Sequence, residues 1–161
     1  MFVKNILFKN FKIKKKNHKI KNILSSLMKE KNQILLSLSK NYKNSFYIKK
    51  IKEYKKSDYF RVIGIGGSIL GAQAIYDFLK HSIKKKFLFI DNLQPFQKKN
   101  VKKKVTNLII SKSGNTIETI VNSNILIKKN HKNIFITENK NNYLFQFAQK
   151  LRAEVIHHNN F

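Results

Sequence analysis

The sequence predicts an α/β domain: a five-stranded parallel sheet with helices on both faces, preceded by an N-terminal helical segment. Three observations carry this prediction. From Tyr59 onward, short apolar runs alternate with stretches of helical periodicity. Apart from Arg61, the runs are apolar at consecutive positions rather than at every second one, the pattern of strands covered on both faces. Two loops rich in glycine and hydroxyl groups follow the first and third runs, where open parallel sheets bind ligands.

Residues 1–57 form the first predicted domain, a Lys-rich helical segment with only two acids, Glu30 and Glu53. Ile20, Ile23, Leu24, Leu27 and Met28 recur at helical spacing, and Ile34, Leu35 and Leu38 continue it after a polar gap. That predicts one amphipathic helix, or two, with an apolar face that must find a partner.

Residues 58–161 form the second. Phe60–Ile65 reads as a buried strand running into glycines, and Ile69 to about Ile83 as a helix with apolar Leu70, Ala74, Ile75, Phe78 and Leu79. Phe87–Ile90 is the second strand, followed by Asp91, and Pro95 suits a helix start. Leu108–Ile110 is the third strand, Thr116 to about Lys129 a helix, and Ile134–Ile136 the fourth strand. Tyr143–Leu151 is a short helix, and Val155–Ile156 begins a fifth strand.

The net charge of +26 admits two readings. One is a polyanionic partner, a nucleic acid or an anionic membrane surface. The other is compositional drift. The cations are Lys except for Arg61 and Arg152, and Asn, Ile and Phe are also abundant. All four share A/T-rich codons. Readers of nucleic acid favour Arg, whose planar fork suits phosphates and base edges. Drift is the reading adopted. No specific nucleic acid and no membrane partner is expected, and any nucleic-acid binding would be weak and salt-sensitive. No run of about 18 apolar residues predicts a transmembrane helix. Neither a compact apolar signal nor a cleavage site marks the N-terminus. Absence of Cys removes disulfides and thiolate metal sites. A cytoplasmic protein is expected.

The first loop is Gly64-Ile65-Gly66-Gly67-Ser68-Ile69-Leu70-Gly71. Glycines at a strand-to-helix junction admit a ligand close to the backbone and aim free helix N–H groups at it. A dinucleotide fingerprint is the rival. Ile69 breaks its glycine pattern, although Asp91 lies at about the right distance to hold a ribose. A tight turn with a capped helix is the purely structural reading. The second loop is Ser111-Lys112-Ser113-Gly114-Asn115-Thr116-Ile117-Glu118-Thr119. Its hydroxyls and N–H groups suit the oxygens of a phosphate monoester. A nucleotide P-loop would need a glycine-Lys-Ser/Thr pattern that is absent. A helix capped by Ser113 or Thr116, with Glu118 as capping-box acid, is the structural alternative.

Taken together, G-I-G-G-S-x-L-G-A and S-K-S-G-N-T-x-E-T resemble the N-terminal phosphosugar-binding domain of the glucose-6-phosphate isomerase family, a sugar-isomerase (SIS-type) domain with a flavodoxin-like three-layer sandwich. The resemblance covers about residues 59–161. It implies that Ser111, Ser113 and Thr116 grip the substrate phosphate, with Lys112 assisting from the same loop. It places Gly67 and Ser68 at the sugar end of the ligand. The family often has Thr where this chain has Asn115. The implied reaction is the interconversion of glucose 6-phosphate and fructose 6-phosphate, by a homodimer without cofactor or metal. An isomerase acting on both glucose and mannose phosphates, or a non-catalytic sugar-phosphate sensor, are the alternatives. No catalytic residue is expected within this chain: the family's Gly-Gly-Arg, Glu, His and Lys have no matching positions. The sequence is therefore read as an N-terminal fragment, inactive alone. His157 and His158 alternate across a strand, so they do not converge on one ligand.

Overall fold

The computed structural model describes residues 17–30, 32–37, 40, 42–43, 45–93 and 105–158. The chain divides into two compact units, Met1–Lys43 and Asn44–Asn160.

In the first unit the helical periodicity resolves into two helices, α1 (His18–Lys29) and α2 (Gln33–Ser37). Asn17 caps α1 by accepting from the backbone N–H groups of Lys19 and Ile20. Glu30, in extended conformation, ends it. Leu38 lies outside the described residues.

The second unit opens with α3 (Ile48–Glu53), prolonged by a 3-10 turn over Tyr54–Lys56. Neither was anticipated from the sequence, because two apolar residues among lysines carry little periodic signal. Five strands follow: β1 (Tyr59–Ile63), β2 (Lys86–Ile90), β3 (Val105–Ile110), β4 (Lys132–Thr137) and β5 (Glu154–His157). They form one sheet in the order β2-β1-β3-β4-β5, and every neighbouring pair is parallel. The crossovers hold α4 (Leu70–Leu79), α5 (Ile117–Leu126) and α6 (Tyr143–Leu151).

Both sheet faces are covered, which is why the strands read as mainly apolar runs. On one face Ile63, Ile109 and Phe135 are fully buried together with Leu144 and Ala148 of α6. On the other, Phe60 stacks on Phe87 at 4.9 Å between ring centroids. Tyr76 of α4 lies 5.1 Å from Phe87 and 5.8 Å from Phe89. The predicted α/β architecture, a five-stranded parallel sheet with helices on both faces, is the one observed.

Two helices end earlier than their periodicity suggested. After α5, Ile127 turns extended and buries its side chain in the core. After α4, Ser82 and Ile83 donate back to the Leu79 carbonyl, closing the helix in a turn. The helix start expected at Pro95 lies outside the described residues.

Candidate functional site

The chain passes from β1 to β2 on one side and returns to β3 on the other, so strand order reverses between β1 and β3. Open parallel sheets bind ligands at such a reversal, beyond the carboxyl ends of the strands. Both glycine and hydroxyl loops leave the sheet here. Ile63 is in register with Ile109, so the two loops begin from adjacent strands at one level. Gly64 is required by this closeness. A Cβ on it would lie 2.9 Å from the Ile110 carbonyl oxygen, forcing the strand ends apart.

Gly67 and Ser68 lie in a 3-10 turn, Gly66–Ser68, that joins β1 to α4. Gly66 takes φ +55°, and Gly66 and Gly67 are exposed while Ser68 is half-buried. Ile69, fully buried, anchors the turn. It occupies the N-cap position of α4 and provides no side-chain acceptor for the first amides of that helix.

Ser111, Lys112, Ser113 and Thr116 lie in the β3–α5 loop. The Ser111 hydroxyl is enclosed. It lies 3.0 Å from the Thr116 hydroxyl and accepts from the Gly114 N–H at 3.2 Å. Ser113 is exposed, and its hydroxyl accepts from the Asn115 N–H at 3.3 Å. Thr116 is the N-cap residue of α5, yet its side chain turns to Ser111 rather than capping. Lys112 offers its backbone more than its charge to the loop. Its carbonyl accepts from the Glu138 N–H at 3.0 Å and the Thr137 hydroxyl at 3.3 Å. Its ammonium lies 3.9 Å from the buried Glu138 carboxylate, which also holds Lys140 at 3.0 Å.

Among the described residues, the four longest helices separate into two kinds. α1 and α6 are capped by the side chains of Asn17 and Asn142. α4 and α5, which start at the reversal point, have no side-chain cap hydrogen bond. An uncapped helix start presents free N–H groups and the positive end of the helix dipole. Two such starts at one end of adjacent strands, edged by the hydroxyls of Ser68, Ser113 and Thr116, make a donor-rich rim suited to an anion with several oxygens.

Several residues that shape this loop were not singled out from the sequence. Asn142 is 4% exposed and reaches Thr137 as well as capping α6. An Asn just before a helical run is a cap signal that does show in sequence. Glu138 and Thr137 carried no pattern that would have linked them to a loop 25 residues earlier. Asp91, the ribose-binding candidate of the rival reading, follows β2, the other neighbour of β1. His157 meets Phe145 at 6.1 Å between ring centroids, and its carbonyl accepts from the Ser45 hydroxyl. The His158 backbone N–H donates to the Thr137 carbonyl. Among the described residues, no group of three or more His, Cys, Asp or Glu side chains is placed to hold a metal ion, and no helix is long and apolar enough to cross a membrane.

Comparison with known proteins points one way. No protein-family model matches the chain. It is similar to part of glucose-6-phosphate isomerases from three distant sources. The protein of Methanocaldococcus jannaschii is 45% identical over 76 residues, covering 44% of this chain and 19% of that protein. That of Borrelia garinii subsp. bavariensis is 41% identical over 78 residues, covering 42% of this chain and 15% of that protein. That of Acholeplasma laidlawii is 38% identical over 106 residues, covering 54% of this chain and 25% of that protein. The matched region thus spans a quarter or less of these relatives' length. In three dimensions, a hypothetical protein from Thermus thermophilus superposes with a TM-score of 0.58 at 19% identity, over 88% of this chain and 40% of that one. That likeness concerns the fold alone.

Proposed function

We propose that residues 58–161 bind a hexose phosphate as the first sugar-phosphate-binding domain of a glucose-6-phosphate isomerase, residues 1–57 being a helical segment that precedes it. The reaction served is the interconversion of glucose 6-phosphate and fructose 6-phosphate, carried out by the homodimeric whole enzyme in the cytoplasm, with proton transfer by residues other than those of the two loops. One observation carries the reading: the two helices starting at the β1/β3 reversal are uncapped, while α1 and α6 are capped. The similarity to isomerases named for this substrate supports it.

In this reading the phosphate replaces the local partners of the loop donors. The Ser113 hydroxyl and the Thr116 hydroxyl turn to its oxygens, and the first amides of α5 complete the cradle. Ser111, being enclosed, keeps Thr116 and Gly114 in place. Lys112 adds charge from the rim. Gly67 and Ser68 receive the sugar end across the gap between the strands.

The test is titration of the chain with glucose 6-phosphate at physiological ionic strength, followed by amide chemical shifts. Saturable shifts at Gly114, Asn115, Gly67 and Ser68 are expected, with inorganic phosphate moving the first pair and glucose moving none. Ser113→Ala combined with Thr116→Ala should weaken binding at least about tenfold, the worth of one charge-assisted hydrogen bond. Absence of saturable shifts up to about 10 mM ligand, or shifts with NAD instead, would remove the reading. Mannose 6-phosphate in the same assay separates the single-substrate from the dual-substrate form.

A further inference from the structure

The β3–α5 loop is held from behind by the start of α6. The first N–H groups of a helix have no intrahelical partner. In α6, two of the first three go to this loop. The Tyr143 N–H donates to the Asn115 side-chain carbonyl at 3.0 Å, and the Leu144 N–H donates to the Gly114 carbonyl at 3.1 Å. The Phe145 N–H goes to Asn142, the cap. The Lys112 carbonyl is taken by the Glu138 N–H and the Thr137 hydroxyl, and Thr137 is in turn held by the buried Asn142 amide at 3.1 Å.

Three of the loop's acceptors, the Lys112 and Gly114 carbonyls and the Asn115 side-chain carbonyl, are therefore taken by the β4–α6 segment. The loop's donors, the N–H groups of Gly114 and Asn115, have only serine hydroxyls within the loop. This asymmetry matters for an anion. A carbonyl oxygen turned towards a phosphate repels it, whereas an N–H attracts it. The Gly114 N–H points to the enclosed Ser111 hydroxyl, so the donor that the contacts with α6 leave at the surface is the Asn115 N–H, bonded to the exposed Ser113 hydroxyl.

We propose that the Asn115 side chain is a positioning group that sets this orientation through the Tyr143 N–H, without itself binding the ligand. The proposal rests on the reading of the loop as a phosphate site.

The test exploits the position of Tyr143 as the first helical residue. Proline is well tolerated there and removes only the N–H. Asn142 before it is already extended, with φ −110° and ψ 169°, as a residue preceding proline requires. Tyr143→Ala keeps the N–H and removes the ring, so Tyr143→Pro compared with Tyr143→Ala isolates the N–H. Asn115→Ala removes the acceptor. Glucose 6-phosphate affinity is measured for the wild-type chain, the three single variants and the Asn115→Ala/Tyr143→Pro pair, with thermal unfolding of each as the check on folding.

Tyr143→Ala should bind within about twofold of wild type. Asn115→Ala should lose about fivefold, the worth of one hydrogen bond, and Tyr143→Pro the same relative to Tyr143→Ala. The double variant should be no worse than Tyr143→Pro, because both changes break one bond. A purely structural role would lower the melting temperature and leave affinity unchanged. Tyr143→Pro binding as tightly as Tyr143→Ala, or losses that multiply in the double variant, would overturn the assignment of Asn115 alone. A wild-type chain that binds neither glucose 6-phosphate nor inorganic phosphate would overturn the phosphate site and the positioning role with it.

Discussion

Gly114 and Gly67 stand in the two loops with opposite constraints. Gly114 takes φ +67°, and a Cβ built on it would fall on the side-chain amide of Asn142. Gly67 has open space where its Cβ would be. Gly114→Ala combines a left-handed backbone cost of about 1 kcal/mol with displacement of Asn142 from its cap and from Thr137. The unfolding free energy in urea should fall by about 2–4 kcal/mol. Gly67→Ala should leave it within about 0.5 kcal/mol, yet weaken glucose 6-phosphate if the sugar end lies against that backbone. A stable Gly114→Ala protein would show that Asn142 yields easily and does not fix the loop. The sequence marked both glycines as loop residues, but their difference was not legible. It depends on a side chain 28 positions away from Gly114 that the fold brings onto it, and no local pattern in SKSGNT encodes that approach.

At the level of elements, the strands were legible because burial on both faces writes a continuous apolar run. A polar row that crosses the sheet was not. Arg61 of β1 is in register with Asn107 of β3, and Asn107 with Asn133 of β4. Asn inside a strand reads locally as a turn residue. Here the row is satisfied sideways only in part: the Asn107 amide donates to the Asn133 carbonyl at 2.7 Å, Asn133 donates to the Lys128 carbonyl, and Arg61 donates to the Leu126 carbonyl at the end of α5, while Arg61 Nε and Asn107 Oδ1 are buried without a hydrogen-bond partner among the described residues. A guanidinium there also complements the negative end of the helix dipole. His131 flanks the row, its Nδ1 3.4 Å from the Asn107 amide nitrogen. Burial, then Arg61 and Lys128, holds the His131 imidazole below its ordinary value, so the folded state keeps it neutral. Since the unfolded chain takes up that proton near pH 6.5, stability from this group is complete above that pH. It declines as the solution is acidified towards the lowered folded value, then levels off. Urea midpoints of wild type and His131→Gln between about pH 7 and pH 5 should converge on acidification. Parallel curves would mean that His131 is as free in the fold as in the unfolded chain.

For the whole molecule, strand order is the property that a reading of the sequence did not reach. Parallel strands could be inferred from alternation with helices, but their arrangement β2-β1-β3-β4-β5 could not. That order sets β1 beside β3, and so brings the candidate loop residues Ser68 and Ser113, 45 positions apart, to one end of the sheet. Charge is the other global property. The lysines are unevenly placed: none lies between Ser57 and Leu79 or between Ser113 and Ile127, the stretches that hold β1, α4, α5 and most of both loops. Lys is thus absent from these rim-forming segments, including α4, which exposes Leu70, Ile75 and Phe78 to solvent. A chain at +26 repels itself, and the same field attracts a dianionic ligand from every direction. The two effects respond to salt with opposite signs. Screening shortens from about 30 Å at 0.01 M to about 8 Å at 0.15 M ionic strength. Over that range the melting temperature should rise, as self-repulsion is screened, while glucose 6-phosphate affinity should fall, as the diffuse field is lost. The loss caused by Ser113→Ala should be the same at both ionic strengths, because hydrogen bonds at contact distance lie inside any screening length. If that loss instead vanished at 0.15 M salt, the wild-type affinity would be a property of the lysine field and not of the loop.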